Sequence, residues 1–290
     1  MKPRATFVWK KLACCATIIR NVGWGILAIF AFDSGATLPS MGKSKRKVLA
    51  VIPARYASTR LPGKVVMQVA GKPIVQHVYD RACQAHLVDE ALVATDDQRV
   101  VEALRPFGTR VVMTGAHHPS GTDRIAEVAA SSTSEMIVNV QGCEAIIDPR
   151  MIDEAIQPLL DDPSVRMATL KHRIAEASEI DDPNVVKVVT DRSGRALYFS
   201  RAPIPAIRDA ADRQARSWCY FKHIGLYVYR RDFLLSYAKL KPTPLEKLEK
   251  LEQLRALENG FEIVVVETQF DSVGVDTLEA FEKVKQLLEG

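Results

Sequence analysis

The residues best suited to chemistry gather between positions 53 and 64, Pro-Ala-Arg-Tyr-Ala-Ser-Thr-Arg-Leu-Pro-Gly-Lys. Arg55, Arg60 and Lys64 concentrate positive charge there, while Ser58 and the backbone amides add neutral donors. A bound triphosphate needs such a set, because charge and hydrogen bonds must replace its water shell. The stretch is not a Walker loop, since the GxxxxGK[ST] pattern is absent. Taken by themselves, basic side chains on one loop more often form a solvated surface.

Other candidates are weaker when taken singly. Ser120 and Thr122 are ordinary helix-capping residues and Asp123 suits a first helical turn, although a helix start also presents free amides to a ligand. Asp276, in Gly-Val-Asp-Thr, reads as an acidic N-cap for a final helix as readily as a metal ligand. A lone histidine beside a strand, His223, is usually a satisfied core residue, and a glutamine on a helix, Gln253, is usually solvated. Glu246, Lys247, Glu249 and Lys250 read as a solvated helix face.

The elements that must position these groups alternate. Residues 47–52 form a continuous apolar, β-branched run, the mark of a buried strand. The basic loop follows its carboxyl end, where open α/β sheets bind ligands. Helical spacing at 74–85, 97–107 and 122–131 alternates with strands at 90–94, 110–113 and 136–140. This order predicts βαβ units and a mostly parallel sheet covered on both faces. Further along, a helix is expected at 149–160, strands at 185–190 and 196–199 around an Asp-Arg-Ser-Gly turn, and a strand at 225–229. A helix at 231–238 and one long amphipathic helix at 244–258 come next, the latter stopped by Asn259-Gly260. A strand at 261–267 and a helix at 277–288 complete the chain.

Bulk properties narrow the class. At 290 residues, 47% hydrophobic and 26% charged, the chain suits one globular core with an appended segment. A net charge of +4 with scattered basic residues argues against nucleic acid as a partner and suits small anions. The five cysteines show no framework spacing and no CxxC, which implies a reduced setting and no structural zinc. Residues 1–46 stand apart as a leader: a basic start, then a largely apolar stretch at 12–32 broken by Arg20 and Asn21. Its uninterrupted apolar run, 22–32, is shorter than the about 20 residues a helix needs to cross a bilayer. A weak membrane anchor, a signal-like leader and translation from an upstream start all fit. Met41 could itself be a start, and residues 47–290 are expected to form the folded domain.

The loop PARYASTRLPGK resembles the signature of the 3-deoxy-manno-octulosonate cytidylyltransferases, the CMP-KDO synthetases of lipopolysaccharide and plant cell-wall synthesis. In the same order the chain carries SGTDRIAEV from 120, NVQG from 139, ALYFSRAPIP from 196, KHIGLYVYR from 222, PLEKLEKLEQLRALENG from 244 and GVDT from 274, all similar to that family. The resemblance spans residues 47–288. It implies a three-layer, nucleotide-diphospho-sugar transferase-like (Rossmann-like) α/β fold with a mostly parallel mixed sheet. It implies CTP and KDO as substrates, direct attack of the sugar 2-hydroxyl on the α-phosphorus, Mg²⁺ as cofactor, a homodimer and a cytoplasmic enzyme, with membrane contact only if the leader is retained. By the same resemblance Arg55, Ser58, Arg60 and Lys64 hold the phosphates, with the three cations acting in catalysis. Ser120, Gly121, Thr122, Arg124 and Gln141 are expected at CTP, and Arg201, Arg208, His223, Tyr227 and Gln253 at the sugar acid. Asp276 is expected at the metal.

One position breaks the pattern. After NVQG the family reads Asp-Glu-Pro, and its Asp joins Asp276 at the metal; here the residues are Cys143-Glu144-Ala145. A hard Mg²⁺ ion prefers oxygen, so a thiol is a poor substitute. An active enzyme with Glu144 or water as replacement, a weakened homologue that still binds nucleotide or sugar acid, and a form altered at one codon are the three accounts. An amino-KDO or another nonulosonic acid is the alternative substrate. A reactive cysteine is disfavoured, because neighbouring Glu144 raises the thiol pKa.

Overall fold

The computed structural model describes residues 47–57, 61–209 and 219–290. The expectations for the leader at 1–46 and for Ser58 and Arg60 therefore lie outside the described residues. Strand β1 (Val48–Pro53) is buried throughout, and its alternate side chains enter two different cores. Val48, Ala50 and Ile52 pack with α1 (Ile74–Gln84), α2 (Gln98–Leu104) and α4 (Pro149–Asp161). Leu49 and Val51 pack with α3 (Gly121–Ser131), α6 (Arg231–Tyr237) and α8 (Leu254–Glu258). That two-sided burial is why β1 reads as an unbroken apolar run, and it gives the three layers.

The main sheet falls into two limbs. β1 pairs in parallel with β4 (Glu90–Thr95) on one side and β6 (Met136–Asn139) on the other, and β5 (Val111–Met113) adds to β4. Beyond β6 lies β10 (Phe221–Arg230), antiparallel to both β6 and β7 (Met167–Arg173), with β11 (Val264–Thr268) parallel to β7 at the edge. β8 (Lys187–Thr190) and β9 (Ala196–Ser200) form a hairpin that branches from β10, and β2 (Gln68–Val69) and β3 (Lys72–Pro73) make a separate small hairpin. The short helix α5 (Ala177–Asp181) and the C-terminal α9 (Leu278–Glu289) complete the set with α7 (Pro244–Glu249). Among the described residues no helix is long and apolar enough to cross a membrane.

The expected elements are present, the small β2–β3 hairpin and α5 are additions to them, and three larger differences stand out. β7 has no counterpart in the sequence reading: only Met167–Leu170 is fully buried, and the following Lys-His-Arg looks like loop. The strand expected at 225–229 extends over ten residues, starting at Phe221. The single helix expected at 244–258 is two helices, broken at Lys250, whose φ of 54° is left-handed. Arg201 explains the break: its Nε donates to the Glu249 carbonyl at 2.7 Å and an Nη to that of Lys250. Glu249 itself accepts from Ser200 Oγ at 2.7 Å, and Glu246 pairs with buried Arg255. Those two glutamates are therefore structural, while Lys247 and Lys250 are exposed as expected.

Candidate functional site

The basic turn leaves β1 at Pro53 and is closed by Gly63 N–H donating to the Tyr56 carbonyl at 2.8 Å. Gly63 has φ 71°, a left-handed conformation that a Cβ would strain, and its missing side chain leaves room for the Tyr56 ring. Arg55 is exposed and reaches the Pro119 carbonyl, next to the start of α3, at 3.4 Å. Lys64 begins a short 3₁₀ turn and its Nζ is ion-paired with Asp276 Oδ1, the side chains being 14% and 35% exposed. Residues 212 positions apart in sequence thus meet at one edge of the sheet. Asp276 does not cap the last helix; Thr277 does, accepting from Ala280 N–H.

The turn after β6 abuts this one. A Cβ on Gly142 would lie 2.8 Å from the Pro53 carbonyl, so only glycine lets the two turns touch. Gln141 donates to Asn139 Oδ1 at 3.1 Å, and the Cys143 carbonyl accepts from Val275 N–H at 2.9 Å. That bond ties the Cys143 turn to the strand of chain carrying Asp276. Ala145, where the family has proline, is buried against Val275 and Phe281, so packing rather than a ring holds this turn.

A cavity of about 210 Å³ opens at the same edge, lined by Gly121, Thr122, Asn139, Gln141, Tyr227, Tyr229, Tyr237, Glu252 and Gln253. Ser120 caps α3 and Thr122 donates to Glu252 Oε2 at 2.9 Å. Gln253 is buried and its Nε2 has no hydrogen-bond partner, a donor left for a ligand. Burial pushes the Glu252 carboxyl above its usual range, against the lowering effect of the Thr122 hydroxyl. The His223 ring lies 5.3 Å from that of Tyr227 at a tilt of 42°, and burial holds its pKa down to about 3.

The expected residues therefore divide. Gly121, Thr122, Gln141, Tyr227 and Gln253 share the cavity, Ser120 and His223 adjoin its lining, and Arg55, Lys64, Cys143 and Asp276 lie on the turns at the same sheet edge. Arg124 does not line the cavity; it is fully buried and paired with Asp96 at 2.9 Å. Arg201 spends three donors on backbone carbonyls, those of Glu249, Lys250 and Pro183. Arg208 is exposed outside the cavity lining. Sequence reasoning missed Asn139, Tyr229, Tyr237 and Glu252. Asn139 left a signal, a polar residue ending an apolar strand; Glu252 left none, since a continuous helix would have put it on the wet face.

The donors around Asp276 do not suit the Mg²⁺ ion that the resemblance implies. Burial pushes the Cys143 thiol up to about 12, partly offset by Lys64, so sulfur stays protonated and soft. Burial also raises the Glu144 carboxyl, which accepts from Ser272 Oγ, and Asp276 is already paired with Lys64. Among the described residues no group of three or more His, Cys, Asp or Glu side chains is disposed to hold a metal.

A mixed α/β sheet with a cation-bearing turn and a polar cavity at one edge defines a nucleotidyltransferase, and the family described as cytidylyltransferase matches residues 49–264. A 3-deoxy-manno-octulosonate cytidylyltransferase of Geobacter metallireducens is 60% identical over 249 residues, covering 83% of this chain and 98% of that one. One from Solibacter usitatus is 58% identical over 83% of this chain and 94% of its own. The chain belongs to the 3-deoxy-manno-octulosonate cytidylyltransferase family. A solved CMP:2-keto-3-deoxy-manno-octonic acid synthetase complexed with CTP superposes with a TM-score of 0.78 at 45% identity, covering 84% of this chain and 98% of that one. A 4-diphosphocytidyl-2C-methyl-D-erythritol synthase from Anaerococcus prevotii, 11% identical with a TM-score of 0.56 over 85% of this chain and all of that one, shares the fold.

Proposed function

We propose that residues 47–290 form a cytidylyltransferase domain that transfers CMP from CTP to 3-deoxy-D-manno-octulosonate and releases pyrophosphate. The observation that carries this reading is the meeting of Lys64 with Asp276 at the sheet edge where the polar cavity opens. In this reading the triphosphate lies over the basic turn and the sugar acid enters beside Tyr227 and Gln253. The sugar 2-hydroxyl, giving up its proton to water, attacks the α-phosphorus, and the bond from that phosphorus to the pyrophosphate oxygen breaks. Lys64 and Arg55, with Arg60, offset the charge gathering on the leaving group.

Lys64 is able to change partners. A partly exposed ion pair contributes at most about 1 kcal/mol, whereas a hydrogen bond to a charged phosphate contributes about 1.5–3 kcal/mol. Nucleotide binding would thus draw Lys64 off Asp276 toward the phosphates. Magnesium is proposed from the resemblance alone, with Asp276 its one conventional ligand. A homodimer and a cytoplasmic location, where CTP is made, are proposed on the same ground; association with a membrane through residues 12–32 is the alternative.

Cys143 favours a second reading, a weakened homologue that binds nucleotide or sugar acid. Pyrophosphate release with CTP, KDO and Mg²⁺ separates the two. Turnover supports the transferase; saturable CTP binding without turnover supports the second. The same assay with an amino-KDO or another nonulosonic acid fixes the sugar.

A further inference from the structure

Strand β10 does not pair evenly with β7: its register shifts between Ile224 and Tyr227. The hydroxyl of Thr169, on β7 and fully buried, sits at this irregularity. It has three polar neighbours, the Leu226 carbonyl oxygen at 2.7 Å, the Ile224 carbonyl oxygen at 3.2 Å and His223 Nε2 at 2.9 Å.

A threonine hydroxyl carries one proton and two lone pairs, and a carbonyl oxygen can only accept. The proton therefore goes to the carbonyls, with Leu226 the nearer. If it went to His223 instead, two oxygens 2.7 Å apart would face each other without a hydrogen between them. Thr169 is left to accept from the ring, so Nε2 bears the ring hydrogen. Burial keeps the imidazole neutral, which leaves Nδ1 bare. Among the described residues Nδ1 has no hydrogen-bond partner. The Phe199 ring, edge-on at 5.1 Å, and the Tyr227 ring at 5.3 Å restrict the imidazole from turning over.

We propose that Thr169 is a positioning residue that fixes His223 as its Nε2–H tautomer, so that Nδ1 serves as a hydrogen-bond acceptor for a hydroxyl of the acceptor substrate. This rests on the functional reading above and deepens it. His223 then selects for a donor, a sugar hydroxyl, and against a carboxylate or ether oxygen at the same place, whose lone pairs would face its own. A buried site left with an unpaired acceptor discriminates strongly against analogues lacking the hydroxyl.

Histidine-selective ¹⁵N NMR of the ligand-free protein tests this, with H223Q assigning the signal among the six histidines. The expected spectrum shows His223 protonated on Nε2 alone. Thr169→Val, which removes the hydroxyl at nearly constant shape, should abolish that tautomer preference. It should raise KM for KDO about 3- to 10-fold while kcat and CTP affinity stay within twofold, and Thr169→Ser should restore both. A wild-type His223 protonated on Nδ1 overturns the proposal, as does a T169V protein with unchanged tautomer and KM. If T169V does not fold, the wild-type spectrum decides. Absence of KDO turnover in the wild type would instead overturn the functional reading, which the tautomer measurement does not depend on.

Discussion

Around β1 the site is made of cations on turns: Arg55 is exposed and Lys64, largely covered, rests in an ion pair with Asp276. Around β10 it is made of polar groups packed into the core, with Glu252 held by Thr122, Gln253 left with an unpaired donor, and His223 kept neutral. The first wall keeps Arg55 hydrated and can re-pair Lys64 at little cost. The second has already lost its water and fixes each donor and acceptor before a ligand arrives. A mobile, highly charged triphosphate suits the first, and a hydroxyl-rich acid that must be told from its analogues suits the second.

The contrast can be broken most severely at Lys64. Lys64→Ala should lower kcat/KM by roughly 10²–10³-fold, as loss of one charge-stabilising donor does elsewhere, with little change in melting temperature. A comparable loss of stability would show that the ion pair with Asp276 is structural. Cys143→Asp addresses the same wall from the other side. If the missing carboxylate limits the reaction, Mg²⁺-dependent turnover should rise by at least the roughly 10–100-fold that even outer-sphere metal partners command, and titration calorimetry should show tighter Mg²⁺ binding. An unchanged rate would remove Cys143 from the metal's surroundings.

The buried wall responds to acid. His223 has a folded pKa near 3 against about 6.5 unfolded, so its contribution is complete above pH 6.5 and is lost as pH falls through that window. Wild-type protein should lose stability more steeply than H223Q there, by at most about 1.4 kcal/mol per pH unit, read by denaturant melts at pH 7, 6 and 5. Parallel curves would show that the imidazole stays hydrated. The smallest effect is expected at the helix break. Lys250→Gly should relieve the left-handed strain and raise stability by up to about 1 kcal/mol relative to wild type, visible as a shift in Tm.

The parallel limb was largely legible in the sequence, because two-sided burial writes itself as apolar runs and the helices between them carry a 3.6-residue period. The antiparallel limb was not. β7 ends in Lys171, His172 and Arg173, whose side chains are paired within the sheet: Lys171 lies over the Phe221 ring, and His172 Nδ1 meets the Thr268 carbonyl. Such residues read as loop until their partners are known. The helix at 244–258 misled for a related reason: its period is sound, but Arg201, more than forty residues upstream, takes its carbonyls. Site residues followed the same division. The basic turn announced itself by composition, whereas Glu252 became visible only once the break at Lys250 had turned it inward.

That break has an evolutionary corollary. Glu252 and Gln253 follow Lys250 closely into the cavity wall, so inserting or deleting a single codon near Lys250 would bring other side chains over the cavity. The leucines at 251 and 254 anchor the segment in the core, and Arg201 holds the Glu249 and Lys250 carbonyls at the junction of the two short helices. A change of length there is therefore expected to displace Glu252 and Gln253 at the cavity while leaving the strand residues beneath it in place.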